Sequence, residues 1–337
     1  MDTEQEEMQF LGFFGIYKEA YKIIVSWRKI FTQITLTLIL PLSFVFLLHI
    51  EISNLLFRKI QFNTLVKDLT KPDTPQYNKL SDMITSERIT LWLFKFVYFT
   101  LVLIFSLLST SAVVYTIASV YTAKDVTFKK VLSVVPKVWK RLMLTFLFTF
   151  AALFLYNLVT FMVAMMVIFI WSVTIGVKNG GIVILVLILI LYLIGLVYLT
   201  LVWHLASVVT VLEDSWGIRA MLKSKELIKG KMVLSIFIFF TLVVSFVIIR
   251  ILFKVIVVNG WWSYGYVDRT AYGVLCFFLL SCLFLFELVV QTVLYFVCKS
   301  YHHENIDKSA LADHLEVYRG EYVPLKSKDV QLEQYQV

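Results

Sequence analysis

Six apolar runs, each long enough to cross a lipid bilayer, constrain this sequence more than any other feature. A helix needs about 20 apolar residues to cross a hydrocarbon core of about 30 Å. The runs that reach this length lie at 31–50, 90–113, 143–170, 182–212, 233–258 and 271–297. Strands of a membrane barrel would be about 10 residues long and would alternate in polarity, whereas these runs are longer and apolar on every face. The sequence therefore predicts six transmembrane helices.

The composition of the chain agrees with a membrane protein and argues against several other classes. Of its 337 residues, 60% are hydrophobic and only 16% are charged, whereas a soluble domain is about half apolar and about a quarter charged. Three cysteines are too few for a disulfide scaffold. A soluble enzyme domain, a fibrous protein and a small secreted module are therefore disfavoured. The predicted fold class is all-α, in a polytopic membrane protein.

The distribution of Lys and Arg predicts how the spans are oriented, because cytosolic loops carry an excess of these residues. Twenty of the 31 Lys and Arg residues fall on one side of the membrane, in the segments 1–30, 122–141, 213–231 and 299–337. Both chain termini belong to that side, so we expect both to be cytosolic.

The predicted organisation has three parts. Residues 1–30 form a cytosolic N-terminus with an interfacial helix, and residues 300–337 form a cytosolic tail. The six-helix transmembrane domain occupies 31–299 and includes a lumenal or extracellular loop at 51–89.

A basic amphipathic pattern precedes each odd-numbered span. Around 13–27, 128–141 and 218–229, apolar side chains recur at helical spacing on one face and mostly basic ones on the other. Such helices lie in the headgroup layer with the basic face toward anionic lipid. The candidate lipid-headgroup contacts are Lys129, Lys130, Lys137, Lys140, Arg219, Lys223 and Lys229. A cytosolic collar of helices packed against one another is the alternative interpretation.

The second and third copies of this pattern also align directly. The segment ASVYTAKD at 118–125 matches ASVVTVLED at 206–214, and Leu132 then falls 90 positions before Leu222. We therefore interpret the chain as three repeats of an interfacial helix plus a transmembrane hairpin, although the first copy is too divergent to align by identity.

Two stretches of the chain resemble known membrane proteins. VTVLEDSWGIRAMLKSKELIKGK is similar to a helical elbow in bacterial membrane proteins, including the membrane domain fused to some glycerophosphodiester phosphodiesterases, whose catalytic barrel has no counterpart in this chain. GIYKEAYKIIVSWRKIF and the tail GEYVPLKSKDVQLEQYQV resemble a plant family of mostly uncharacterised six-span proteins. The resemblance implies a location in the endomembrane system or the plasma membrane and supplies no catalytic residue.

Ionisable side chains within the apolar runs are the candidate functional residues, because insertion into hydrocarbon costs about 2.5–3.5 kcal/mol for such a group. The sequence predicts that His204, Glu287 and Gln291 converge in an intramembrane polar site between spans four and six. Interhelical hydrogen bonding that fixes packing is the alternative. Arg250 and Lys254 fall near the outer interface, where they are expected to snorkel.

Motifs for common catalytic chemistry are absent from the sequence, which has no G-x-S-x-G, no H-E-x-x-H and no Walker-type glycine loop. We therefore expect no enzyme activity, no cofactor, no metal site and no nucleic-acid partner. The expected partners are the lipid bilayer, anionic lipids at the cytosolic face and proteins bound by the tail. The favoured hypothesis is a protein that organises membrane or recruits partners; the alternative is a transporter or channel that uses His204 and Glu287.

Overall fold

The computed structural model describes residues 8–72, 74–122, 126–174, 180–260 and 265–303, and nearly all of these residues are helical. The α-helices in these ranges are α1 (Phe13–Ser26), α2 (Arg28–Ile34), α3 (Leu40–Asp68), α4 (Pro75–Tyr121), α5 (Phe128–Thr174), α6 (Gly180–Leu212), α7 (Ile218–Ile228), α8 (Met232–Leu252) and α9 (Tyr266–Tyr301). A π-helical turn at Thr35–Ile39 joins α2 to α3, and another at Phe253–Val258 extends α8.

Six of the helical stretches are long and apolar enough to cross a membrane. They span Arg28–Asp68, Pro75–Tyr121, Phe128–Trp171, Val183–Leu212, Met232–Val258 and Tyr266–Tyr301. The predicted fold class, an all-α polytopic membrane protein with six transmembrane helices, is confirmed.

The connection at 51–89, which the sequence predicts as a loop, is mostly helical in the structure. Helix α3 continues to Asp68 and α4 begins at Pro75, so only six residues lie between them. The amide of Asn63 in α3 donates to the carboxylate of Glu87 in α4 at 2.9 Å, and Lys59 pairs with the same carboxylate at 3.1 Å. The apolar pattern ends where polar residues begin, but polar residues propagate a helix well, so the helices extend past the ends of the apolar runs.

The three predicted interfacial helices differ in the structure. The first and third are separate helices, α1 and α7, whereas the second is the opening part of α5 and runs on without a break. Gly230 separates α7 from α8 with a backbone φ of 89°, a left-handed conformation that costs other residues about 1–2 kcal/mol. Lys140 stands at the aligned position 90 residues earlier. A lysine does not favour such a break, and the second copy therefore stays continuous.

The chain divides into two compact units. Unit 1 comprises Met1–Ser26, Thr110–Phe239 and Leu288–Val337, and unit 2 comprises Trp27–Ser109 and Phe240–Glu287. Several long helices contribute one part to each unit.

Many small and β-branched side chains lie in the centre of unit 1, together with the buried rings of Tyr295 and Phe296. Residues on the last turns of α4, α6 and α9 are fully buried, among them Ala112, Ile117, Ala206, Val209 and Val293. Short side chains let helix backbones approach closely, which is the usual means of packing helices in a membrane. Helix α5 packs against α6, and α7 packs against both.

The core of unit 2 combines aliphatic side chains with the buried ring of Phe253. Leu47, Phe253, Val258, Cys276 and Leu280 form one buried cluster.

The π-helical turn Thr35–Ile39 comes just before Pro41. Because proline has no N–H to donate and its ring clashes with the preceding turn, a locally widened helix accommodates it within the span.

Large apolar side chains remain uncovered along the spans. In α5, for example, Phe154, Leu155, Phe161 and Phe169 are each at least 60% exposed. A water-soluble protein rarely exposes a continuous apolar surface of this extent. These side chains are therefore the surface that contacts lipid.

We predict that Gly230→Ala lowers the apparent Tm of the purified protein in detergent by about 2–5 °C, since left-handed strain of about 1–2 kcal/mol adds to a close contact. An added Cβ at Gly230 meets the ring of Tyr301. Gly12→Ala is the matched control, because nothing lies within 4 Å of a Cβ at Gly12. Equal Tm values for the two variants would contradict this explanation of the α7–α8 break.

Candidate functional site

The five residues between α6 and α7, Glu213 to Gly217, form a sharply turned connection that we call the elbow. Four of these five residues make side-chain or backbone contacts to other helices of unit 1. The elbow is the densest polar site that the structure describes in unit 1, and each contact can be traced to a particular residue type.

Glu213 lies at the centre of the elbow contacts. Its Oε1 accepts hydrogen bonds from the Tyr295 hydroxyl at 2.5 Å and from Lys299 Nζ at 2.8 Å. Its Oε2 pairs with Lys223 Nζ at 2.7 Å. We call these four residues the Glu213 network. The network joins the end of α6 to α7 and to the last turns of α9, where Tyr295 and Lys299 are one turn apart.

The electrostatics of the Glu213 network favour a charged carboxylate. Burial by itself would raise the pKa of Glu213, but hydrogen bonds from Lys223, Lys299 and Tyr295 outweigh burial and hold the pKa below its usual value. Only 12% of the Glu213 side chain is exposed. A single buried carboxylate is thus compensated by two cations and one hydroxyl.

The next elbow residues are fixed by α5. Asp214 pairs with Arg141 at 2.9 Å, and the guanidinium of Arg141 lies over the Trp216 ring, 5.3 Å from its centroid. Arginine suits this position because it can pair with a carboxylate and stack on an aromatic ring at the same time.

Backbone and hydroxyl groups complete the elbow. The Gly217 N–H donates to Thr145 Oγ1 at 2.8 Å, and Thr145 and Thr210 hydroxyls lie 2.9 Å apart in the core. Gly217 has a φ of 62°, and a Cβ there would meet the Phe148 ring at 2.9 Å. Glycine is therefore required both by the backbone conformation and by the close approach of α5.

Helix α7 buries only part of the apolar face that its sequence pattern predicts. That face comprises Ile218, Met221, Leu222 and Ile228; Ile228 is buried, but Ile218 and Leu222 are 55% and 56% exposed. The buried face also carries the small residues Ala220 and Ser224, and Ser224 Oγ donates to the Val202 carbonyl at 2.7 Å. Small residues allow α7 to lie close to α6, so close packing with a backbone hydrogen bond outweighs the burial of bulkier side chains.

The candidate lipid-headgroup residues fall into two groups. Exposed ones are Lys129, Lys137, Lys140, Arg219 and Lys229. Lys130 is half-buried, and Lys223 is engaged inside the protein by Glu213. The exposed group is the one that remains available to an external ligand.

Two of the three predicted intramembrane polar residues meet within unit 1. Gln291 Nε2 donates to the His204 carbonyl and to Ser207 Oγ, the latter at 2.8 Å. The His204 ring lies between aromatic neighbours, with the Phe239 centroid 5.6 Å away. Glu287 precedes Gln291 by one turn of α9 and belongs to unit 2. The convergence of Glu287 with His204, and transport through such a site, stay predictions.

Glu213, Tyr295 and Lys299 are site residues that the sequence interpretation missed. The available signal was an acidic residue directly after span four, matched by a lysine at the end of span six. Either charge alone is ordinary at a span end, and only the packing of α6 against α9 makes them a pair.

The profile of the family described as "Domain of unknown function (DUF8558)" matches residues 1–335. The chain belongs to this family. The match includes the elbow and all six spans, so the elbow lies within the region that defines membership. No curated protein and no solved structure matches the chain.

Metal binding has no support in the part of the chain that the structure describes. No group of three or more His, Cys, Asp or Glu side chains lies close enough together there to hold a metal ion. The chemistry of the elbow is that of ion pairs and hydrogen bonds, which position helices.

We predict that Glu213 makes stability depend on pH in the acid range. Because its pKa is held below the ordinary value of 4.5, the unfolded chain takes up the proton first, so Glu213 stabilises the fold above that pH and the contribution is lost as the pH falls through the folded pKa. Glu213→Gln is expected to cost about 1.5–3 kcal/mol at pH 7, with the difference from the wild type shrinking toward acid pH. The measurement is apparent Tm in detergent against pH.

Glu226→Gln is the matched control for this titration, since Glu226 is an exposed carboxylate on the neighbouring helix α7. It should follow the wild-type curve. A Glu213→Gln curve that runs parallel to the wild type down to acid pH would contradict the assignment.

We also predict that Gln291→Leu weakens helix packing by about 0.6–2 kcal/mol, because it removes the hydrogen bonds between α9 and α6. The check is apparent Tm, with Thr100→Val as control; the Thr100 hydroxyl is exposed and donates to Phe96 of its own helix. Unchanged stability in Gln291→Leu would contradict a packing role for this residue.

Proposed function

We propose that this chain is a non-enzymatic integral membrane protein that gathers anionic lipid at its cytosolic face and recruits partners there. In this proposal both termini are cytosolic, the protein resides in the endomembrane system or the plasma membrane, and the tail from residue 300 binds proteins. The tail from 304 onward lies outside the described residues.

The main support for the proposal is that the first turns of α5 have a buried apolar face and an exposed basic face. Val131, Val135, Val138 and Leu142 are buried in a continuous helical stripe. Exposed lysines occupy the opposite face, at 129, 137 and 140. A helix held in place by its apolar stripe presents these ammonium groups to whatever surrounds the protein.

Among the residues that the structure describes, no ion pair engages the exposed lysines of this face. The carboxylates of Glu213 and Asp214 are both engaged, by Lys223 with Lys299 and by Arg141 respectively. Lys129, Lys137 and Lys140 of α5 are not needed for those pairs, and neither are the exposed Arg219 of α7 and Lys229, which directly follows α7. Each such residue near an anionic leaflet contributes about 1 kcal/mol of attraction.

Exposed apolar side chains beside the basic ones support a position in the headgroup layer. Trp216, Ile218 and Leu222 are each more than 40% exposed along the elbow and α7. An apolar side chain next to a basic one is the combination that surface-lying membrane helices use. The collar alternative has less support, because α7 packs through its small-residue face and leaves these residues uncovered.

A lipid-selectivity measurement tests the proposal. Spin-labelled phosphatidylserine and phosphatidylcholine are compared in proteoliposomes, and the wild type should favour phosphatidylserine. Combined Lys129→Gln, Lys137→Gln and Lys140→Gln should lower this preference at least about fivefold, which corresponds to the loss of about 1 kcal/mol from one of the three residues. Added salt should reduce the wild-type preference toward that of the variant.

The control neutralises two exposed lysines, Lys71→Gln and Lys79→Gln, in the turn region that is predicted to face the opposite side. This control should keep the cytosolic-leaflet preference. Equal lipid selectivity in the wild type and the triple variant would refute the proposal.

A further inference from the structure

A cavity in unit 2 is lined by two positively charged side chains and shares no residue with the elbow. Its volume is about 370 Å³, and its walls come from α3, α4 and the end of α8 with its π-helical turn. Arg250 and Lys254 line it one turn apart. Among the described residues, no Asp or Glu lines the cavity, and neither cation forms an ion pair.

The position of these two cations along α8 indicates that they lie at the level of the lipid headgroups. Lys254 lies 22 residues after Met232, the first residue of α8, which is about 33 Å along a helix. That length crosses the hydrocarbon core. The cavity therefore lies at the level of phosphate groups on the membrane face opposite the one where α8 begins.

Neutral polar groups line the wall that faces the cations. His49 and Asn54 of α3 and Tyr98 of α4 contribute to it, and the His49 and Tyr98 rings stack with centroids 3.7 Å apart. Ser53 also lines the cavity, and its Oγ is buried without a hydrogen-bond partner among the described residues. A buried hydroxyl without a partner is costly, and a ligand oxygen would satisfy it.

The remaining walls are aromatic and suit an apolar chain. Phe46 and Phe246 line the cavity and contact each other, with ring centroids 5.2 Å apart. A volume of this size is within the usual range for small-molecule sites. A free inorganic anion would leave these rings unused, whereas an amphiphile would use both kinds of wall.

We propose that this cavity binds the phosphate headgroup of an anionic phospholipid. Arg250 and Lys254 bind the phosphate oxygens, Ser53 and Asn54 donate hydrogen bonds to the headgroup, and the phenylalanine rings contact the first carbons of the chains. The site goes beyond the proposed function, because it lies in unit 2 and shares no residue with the basic face of unit 1.

Photo-crosslinking in a bilayer tests the site. The full-length protein is placed in phosphatidylcholine nanodiscs that contain a diazirine-bearing phosphatidic acid, and labelled peptides are mapped. The wild type should be labelled within residues 46–57. Arg250→Gln combined with Lys254→Gln should lower that labelling about tenfold or more, because charge-assisted hydrogen bonds to phosphate are lost.

Two controls separate this site from other lipid contacts. Lys95→Gln removes an exposed cation of α4 that does not line the cavity and whose ammonium lies 5.6 Å from the Trp92 ring centroid. The triple lysine variant of α5 alters the basic face of unit 1. Both should keep wild-type labelling at 46–57, so a failure here is distinguishable from a failure of the proposed function.

Competition identifies the ligand chemistry. Unlabelled phosphatidic acid should displace the probe, and phosphatidylcholine should displace it weakly. Equal displacement by inorganic phosphate would contradict the claim that the ligand is a lipid. Unchanged labelling in the double variant would contradict the claim that the cavity is the binding site. Should the double variant fail to fold, Arg250→Lys is the substitute variant, because it keeps the charge. Wild-type labels that fall outside the cavity walls would refute the proposal in that case as well.

Discussion

The structure depends on lipid, rather than water, being the solvent for the long helices. Helix α5 leaves phenylalanine, leucine and methionine side chains uncovered, and α6 leaves leucine, isoleucine and valine side chains uncovered. The backbone of each span is hydrogen-bonded within its own helix, which is the condition for crossing hydrocarbon. Because apolar burial between helices gives little advantage in lipid, close packing of small residues and a few polar contacts must hold the helices together.

The elbow shows how those polar contacts are concentrated. Glu213 is satisfied by three donors from two other helices, and Asp214 is paired with α5. These pairs hold α5, α6, α7 and α9 in one arrangement within unit 1. The exposed Lys129, Lys137 and Lys140 of α5 take no part in these pairs, so they are available to form a basic surface. In unit 2, Arg250 and Lys254, which form no ion pair with the described residues, line a cavity instead.

The number and type of the spans can be predicted from the sequence, because a run of about 20 consecutive apolar residues matches the thickness of a bilayer. The ends of the helices cannot, since Asn63, Glu87 and similar polar residues continue a helix without any apolar pattern. In the predicted repeat, the second copy has Lys140 where the third has Gly230, a difference that agrees with the continuous α5 and with the break after α7.

The buried face of α7 could not be predicted from the sequence either. Ile218 and Leu222 look like core residues, yet Ala220 and Ser224 are buried, because a close approach to α6 depends on small size and a carbonyl acceptor on a neighbouring helix. Likewise, Glu213 and Lys299 are distant in sequence and only tertiary packing pairs them. Gln291 contacts the His204 carbonyl rather than its ring, a backbone contact that the side-chain types alone do not indicate.

Sidedness labelling tests the central claim, a lipid-solvated chain of six crossings, most directly. In a background without Cys276, Cys282 and Cys298, single cysteines replace the exposed residues Lys79, Ser133 and Lys225, and a membrane-impermeant maleimide is applied to sealed, oriented vesicles. The account predicts that positions 133 and 225 are labelled from one side and position 79 only from the other. Labelling of all three from the same side, or of 133 and 225 from opposite sides, would contradict it.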